Sequence, residues 1–407
     1  MKTSALRASA LFAGCVVITA CSQTTELSRL QYTPNVSGES DRAASPLSYR
    51  VLHRFGKDHD GDGPIDGVIA VGGTLFGTTS GGGLYGGGTV FSITTDGGAE
   101  KVLHSFGQRA KGIKGSQPYG GVIDVGGTLY GTTGYGGGFG YGTVFSVTAD
   151  GAEKVLHGFG ESPDGEVPSE NLIAVGSTLY GTTEGGGRYT GFRAADGYGT
   201  VFSITTDGKE KVLHSFGKGT DGRFGGAGLT EVSGILYSTT IDGGAYDRGT
   251  VFSITTGGKE KVLHSFGGTP DGAGPAYTSL IAVKGTLYGT TESGGTQDAG
   301  TVFSVTRGGS EKVLHSFGKG TDGNFPAGGL IDIGGTLYGT TINGGAYGLG
   351  TLFSITTGGS EKVRYSFSKG TDGNGPIDAL VYEGGSIFGA TQSGGIDDAG
   401  VLFSLTP

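Results

Sequence analysis

The segment Gly-Thr-Val-Phe-Ser, or a close variant, recurs seven times and places a phenylalanine at 91, 145, 202, 252, 303, 353 and 403. Successive copies lie 54, 57, 50, 51, 50 and 50 residues apart. A fixed period of this size means stacked copies of one supersecondary unit rather than a single irregular core. Three further segments keep the same period. Thr-Leu-Tyr-Gly-Thr-Thr or a variant stands at 74–79, 128–133, 178–183, 235–240, 286–291, 336–341 and 386–391. Val-Leu-His-Ser-Phe or a variant begins at Val51, Val102, Val155, Val212, Val262, Val313 and Val363. A Leu-Ile-Ala-Val type precedes each Thr-Leu-Tyr segment, as at 68–71 and 280–283.

Each segment reads as a strand: short, β-branched or aromatic, and bounded by Gly or Asp. Val71-Gly72-Gly73-Thr74 makes a tight hairpin, as does Asp96-Gly97-Gly98. Adjacent apolar pairs such as Val90-Phe91 and Val102-Leu103 require strands covered on both faces. The predicted fold is therefore all-β, a seven-bladed β-propeller with four antiparallel strands per blade. An open solenoid would need atypical capping repeats, and neither end of the array has one. The array starts with an outer-type strand, Tyr49–Phe55, and ends with a third-type strand, Val401–Leu405. That phase predicts a ring closed by pairing the N-terminal strand with the C-terminal blade, which removes an exposed edge.

The 90 glycines and 11 prolines among 407 residues would suggest disorder if scattered, but they recur at fixed turn positions. A formal net charge of -9 with no basic run argues against nucleic acid as a partner. Lys2 and Arg7 precede the short apolar stretch Leu11–Ala20, and Ile18-Thr19-Ala20-Cys21 resembles a lipoprotein cleavage site. The expected organisation is a signal peptide over 1–20, a lipid-bearing Cys21 with a polar tether over 21–47, and the propeller over 48–407. The protein is expected to be exported, anchored to a membrane by lipid at the outer membrane or cell surface, and monomeric in its folded domain. Cys21 would be the sole thiol left after cleavage, so no intrachain disulfide is expected.

The repeating consensus Gly-Thr-Val-Phe-Ser-Ile-Thr-Thr, Glu-Lys-Val-Leu-His-Ser-Phe-Gly and Gly-Thr-Leu-Tyr-Gly-Thr-Thr resembles the GloVer tandem-repeat family of bacterial "choice-of-anchor" proteins. The resemblance runs over residues 49–407 and implies export and anchoring, in agreement with Cys21. It transfers no catalytic residue. Repeat 4 departs most, with Ser233-Gly234-Ile235-Leu236-Tyr237-Ser238, and repeat 7 replaces the recurrent His with Tyr365.

Six histidines (53, 104, 157, 214, 264 and 315) share one outer-strand position. A His followed by Ser on a strand points to the opposite face, so packing between blades is the expected role. In Asp58-His59-Asp60-Gly61-Asp62-Gly63-Pro64-Ile65-Asp66, the carboxylates Asp58, Asp60, Asp62 and Asp66 match the first half of a calcium loop. Ile69 stands where an EF-hand needs Glu, so the loop is a candidate calcium site or a turn template; no other cofactor is indicated. The two long connections of each blade should emerge on one face. There Tyr85, Tyr135, Phe139, Tyr141, Arg188, Tyr189, Phe192, Arg193, Tyr246 and Tyr347 are the candidate ligand-binding residues, set to stack on sugars or dock a partner. Asp66, Glu170 and Asp378 share one position before the inner strand, at the expected channel mouth.

Three functions follow in order of expectation. The first is a non-catalytic cell-envelope module that presents its loop face to a glycan or protein. The second is a carbohydrate-active hydrolase or lyase working through the channel-mouth carboxylates, which needs two differently tuned acids. The third is an envelope-assembly scaffold.

Overall fold

Each repeat forms one antiparallel sheet, and the fifth shows the pattern: Ile281–Val283 innermost, then Thr286–Thr291, Thr301–Thr306 and Glu311–Ser316 at the outer edge. Successive side chains point to opposite faces, each of which meets a neighbouring blade. Val302, Phe303 and Val305 are all fully buried, as adjacent apolar pairs require. Gly72 and Gly73, at φ of +58° and +80°, make the Val71–Thr74 turn in a backbone region that a Cβ would strain. The computed structural model describes residues 48–57, 59–98, 100–107, 114–160, 162–190, 197–267, 269–275, 279–368, 370–377 and 379–406. The expected signal peptide and tether lie outside them.

The ring closes as the strand phase predicts. Ser48–Arg54 pairs antiparallel with Val401–Thr406 and completes the seventh blade, with Tyr49 opposite Leu405 and Val51 opposite Phe403. The inner strands touch in cyclic order, ending with Val381–Glu383 against Ile69–Val71.

The boundaries between blades share one aromatic contact. The phenylalanine just past each outer strand meets the third-strand phenylalanine of the next blade edge to face. Phe106–Phe145, Phe317–Phe353, Phe367–Phe403 and Phe55–Phe91 are four of the seven pairs, whose ring centroids lie 5.0 to 5.4 Å apart. Burying one such ring contributes about 1.5–3 kcal/mol, and the edge-to-face geometry adds about 0.5–1.5 kcal/mol per pair. Glycine on the second strand leaves room for the ring: a Cβ at Gly181 would stand 2.6 Å from Cζ of Phe202. Repeat 4 carries Ser238 there. Its buried hydroxyl donates toward the carbonyls of Ala227 and Gly228, 3.0 Å from each, so no polar group is stranded.

Both long connections of a blade emerge on one face and pair there. In blade 1, Gly61–Pro64 joins Thr74–Gly82; in blade 2, Gly115–Ser116 pairs with Tyr135–Gly136. This face carries the candidate site.

Candidate functional site on the loop face

Four aromatics occupy the same loop position, four residues before a third strand: Tyr85, Phe139, Tyr246 and Tyr347, between 58% and 64% exposed. In two of them the ring packs on the glycine that follows the adjacent outer strand. Phe139 lies over Gly160, and Tyr246 over Gly267. These two rings are thus supported on one side; among the described residues no ring lies over Gly107, the counterpart in blade 1, and Ser368 is the counterpart in blade 6. Tyr141 is also exposed, whereas Tyr135 leans on Tyr119 at 5.9 Å. Arg188 is exposed and Tyr189 half-buried. Tyr198 packs on Phe224 with the Arg223 guanidinium over its ring. Phe192, Arg193 and Asp378 lie outside the described residues, as do Asp58 and Cys21.

On the axis, the residue before each inner-strand apolar position is small: Gly67, Gly121, Asn171, Gly228, Ser279, Gly329 and Ala379. These seven neighbour one another in cyclic order. A Cβ at Gly67 would stand 2.0 Å from the carbonyl oxygen of Ala379, and one at Gly228 would meet Oγ of Ser279 at 2.4 Å. Gly121 faces Asn171 and Gly67, and Gly329 faces Ser279 and Ala379. They form an iris that pinches the axis on the loop side. No sequence expectation covered it, although the column of small residues was its signal.

Asp66 and Glu170 both lie beside this iris, near enough for the charge of Asp66 to act on Glu170 although they come from nonadjacent blades. Asp66 accepts hydrogen bonds from the backbone N–H of Gly67 at 2.7 Å and of Gly121 at 3.1 Å, and it also bonds the Asn171 side chain. The Asp66 side chain is half-buried. Burial raises its pKa against these hydrogen bonds. Glu170 is pushed well above the usual carboxylate range by burial and then by the charges of Asp66 and Glu184, with the Gly228 N–H opposing. Burial also raises Glu184, with Ser169 opposing. Both carboxyls are thus raised, and their hydrogen bonds brace the iris across the blades that carry Gly67, Gly121 and Gly228.

The first-repeat carboxylates separate into different roles. Asp60 Oδ1 accepts from Gly56 N and Lys57 N at 2.9 and 2.8 Å, and its Oδ2 pairs with His53 Nε2 at 3.0 Å. Asp62 is exposed and lies near Asp60, while Asp66 is committed to the iris. Asp60 and Asp66 thus hold separate partners, and Asp58, the first carboxylate of the candidate calcium loop, lies outside the described residues. The turn-template reading accounts for Asp60, because its backbone acceptances recur in later repeats, as at Asp221 and Asp322.

The recurrent histidines sit at the blade boundaries. Each of His53, His157, His214, His264 and His315 places Nε2 3.0 to 3.2 Å from the carboxylate seven residues later, Asp60, Asp164, Asp221, Asp271 or Asp322. Each imidazole also packs edge-on against the phenylalanine two residues on. A glutamate from the next outer strand then approaches the pair. Sequence reasoning did not single out these glutamates, although the Glu-Lys-Val-Leu-His consensus displays them. In Glu100, Glu153, Glu210, Glu260, Glu311 and Glu361, Oε1 is buried without a hydrogen-bond partner. Among the described residues, two such groups, His157–Asp164–Glu210 and His264–Asp271–Glu311, bring three ligand atoms within 4.8 Å of one another.

A family model described as the Gloeobacter/Verrucomicrobia repeat matches residues 42–194 and 189–403. No curated protein matches the chain. Among solved structures, an oligogalacturonate lyase from Vibrio parahaemolyticus is similar at a TM-score of 0.51 and 9% identity, over 89% of this chain and 97% of that one. A gluconolactonase from Xanthomonas campestris gives 0.44 at 11% identity, over 88% and 89%. TolB from Acinetobacter baumannii gives 0.39 at 13% identity, over 70% and 62%. The lyase likeness is one of fold alone, and the other two are too loose to support an argument.

Proposed function

The chain belongs to the Gloeobacter/Verrucomicrobia repeat family, and from that premise we propose that it is a non-catalytic envelope module that binds glycans along the aromatic margin of its loop face. The observation that carries this reading is the placement of Tyr85, Phe139, Tyr246 and Tyr347 at one loop position, each more than half exposed. A ring supported on one side by glycine is a ready platform for the apolar face of a sugar. Several weak platforms on one rigid ring bind a polymer more tightly than any of them alone. Lipid attachment at Cys21 would hold the propeller at a membrane, and Cys21→Ser should move the protein to the soluble fraction.

The test is retention on a panel of cell-wall and extracellular polysaccharides, with a glycan array alongside. Wild type should be retained, and the quadruple variant Tyr85→Ala, Phe139→Ala, Tyr246→Ala, Tyr347→Ala should lose at least tenfold in affinity while melting normally. Retention unchanged by the four substitutions would remove the proposal. The two raised carboxyls of Asp66 and Glu170 beside the axis favour a second reading, a carbohydrate-active hydrolase or lyase. That reading requires polysaccharide turnover by wild type that is abolished in Glu170→Gln. Binding without turnover supports the module, and neither binding nor turnover would favour the scaffold.

A further inference from the structure

We propose that two boundaries between blades, His157–Asp164–Glu210 and His264–Asp271–Glu311, are binding sites for a divalent transition-metal ion that staples adjacent blades from the outside.

The argument begins with geometry. His157 and Asp164 come from one blade's outer strand, Glu153–Gly158, and the turn after it, while Glu210 begins the next outer strand, Glu210–Ser215. The second group repeats this arrangement from Glu260–Ser265 to Glu311–Ser316. Nε2 and Oδ2 stand 3.0 Å apart in the first and 3.1 Å in the second, and all three ligand atoms fall within 4.8 Å. Ligands held about 2.0–2.2 Å from one ion stand roughly 2.8–3.6 Å apart, a spacing the His–Asp pairs already have and the glutamate reaches by a small approach. One imidazole and two carboxylates form a donor set that suits zinc, cobalt or manganese, with water completing the shell on the open side.

The second line is the orphaned oxygen. Oε1 of Glu210 and of Glu311 is buried and accepts no hydrogen bond, which costs free energy unless a cation meets it.

The third line is what other boundaries put in the same place. At the second boundary Lys114 replaces the aspartate that precedes the ribbon glycine, and its Nζ lies 3.9 Å from Oε2 of the enclosed Glu153. A cationic side chain thus lies beside the glutamate at one such position. At the ring closure Tyr365 and Tyr49 replace the histidine and the glutamate, and their rings stack at 4.4 Å. That boundary keeps Asp372 but offers neither the histidine nor the glutamate, so it lacks two of the three ligands.

Full-length protein, stripped with chelator, would be titrated with zinc chloride alone by calorimetry, and its cobalt complex followed by visible absorption. The expected result is about two ions per chain, a cobalt band near intensities typical of nitrogen and oxygen donors, and a raised melting temperature reversed by chelator. The double variant Glu210→Gln, Glu311→Gln keeps side-chain size and removes the anionic ligands. It should fold with an unchanged metal-free melting temperature or a higher one, and lose at least a hundredfold in zinc affinity. His157→Gln with His264→Gln should do the same and abolish the cobalt band. No saturable binding by wild type, or binding of equal strength in both double variants, would overturn the proposal.

Discussion

The boundary between blades 5 and 6 and the one that closes the ring share a core and differ at the rim. Both contain an edge-to-face phenylalanine pair, Phe317–Phe353 and Phe367–Phe403, at 5.1 and 5.4 Å. Outside it, the first places His315, Asp322 and Glu361 together, whereas the second places Tyr365, Asp372 and Tyr49. Tyr365 donates to Asp372 Oδ2 at 2.8 Å, and Tyr49 donates to the Asp372 carbonyl at 2.5 Å while stacking on Tyr365. Burial, and then neighbouring charge, holds both phenols above their ordinary range, so they stay neutral. The ionisable rim is tolerable where both blades lie on one continuous chain. The closing joint must recruit a strand from the far end of the array, at the entropic cost of a loop spanning the whole ring. There two neutral phenols gathered around Asp372 take the place of the histidine and the glutamate.

The largest effect should come from removing that recruited strand. Deleting residues 48–54 exposes the edge of Val401–Thr406 and strips Tyr49 from its stack. Loss of cooperative calorimetric unfolding is the expected outcome, and an unchanged transition would show that the joint contributes nothing. Next, Phe317→Ala and Phe367→Ala should each cost about 3–5 kcal/mol in denaturant unfolding, since both rings are fully buried in the same geometry. Values differing by more than about 1 kcal/mol would mean the two boundaries do not share a core. Tyr49→Ala should cost about 2–3 kcal/mol from lost burial and stacking. Glu361→Gln, at the equivalent position, should be neutral or stabilising at pH 8.

The rims should also separate by pH. Glu100, Glu210, Glu311 and Glu361 are pushed from an ordinary 4.5 up to about 7, first by burial and then by a neighbouring aspartate. A raised carboxyl binds its proton more tightly in the folded state. Stability from this source is therefore fully present below pH 4.5, falls as pH rises through 7, and is level above. Asp271 is the opposite case: burial would raise it, but His264 and backbone N–H groups outweigh that and hold it low. Its contribution is lost only in acid. The glutamates are partly solvated, so each should contribute less than about 1 kcal/mol after screening. In metal-free protein the melting temperature should fall between pH 4.5 and 7. Substituting all four by Gln should flatten that fall, and a slope unchanged by the substitutions would assign it elsewhere.

Periodic apolar positions carried the architecture. The phenylalanine spacing and the unmatched strand types at Tyr49 and Val401 are one-dimensional patterns, and the ring follows from them. The common phase of Asp66 and Glu170 likewise placed both at the axis. Their bracing of the iris was not legible, because Gly67, Gly121 and Asn171 matter only once the ring makes them neighbours. The His–Asp pairs were hidden for a related reason. Seven residues along a strand would carry Asp60 far from His53, and only the turn after Phe55 brings it back. The glutamate that completes each group lies a blade further on, beyond the reach of any local pattern.

The smallest effect tests why the second boundary departs from its neighbours. Lys114 is 75% exposed, while the Glu153 side chain it approaches is 5% exposed. Burial raises Glu153 and Lys114 opposes the rise; His104, with burial and the same lysine against it, is lowered. Lys114→Met removes the opposing charge and should lift Glu153 toward its counterparts. Because the ammonium is mostly solvated, stability near neutral pH should fall by no more than about 0.5 kcal/mol. The readout is the fall in melting temperature between pH 4.5 and 7, which should steepen by roughly the share of one glutamate. A slope identical to wild type would mean that the lysine is only a surface residue, and that this boundary carries its buried carboxyl without a compensating cation.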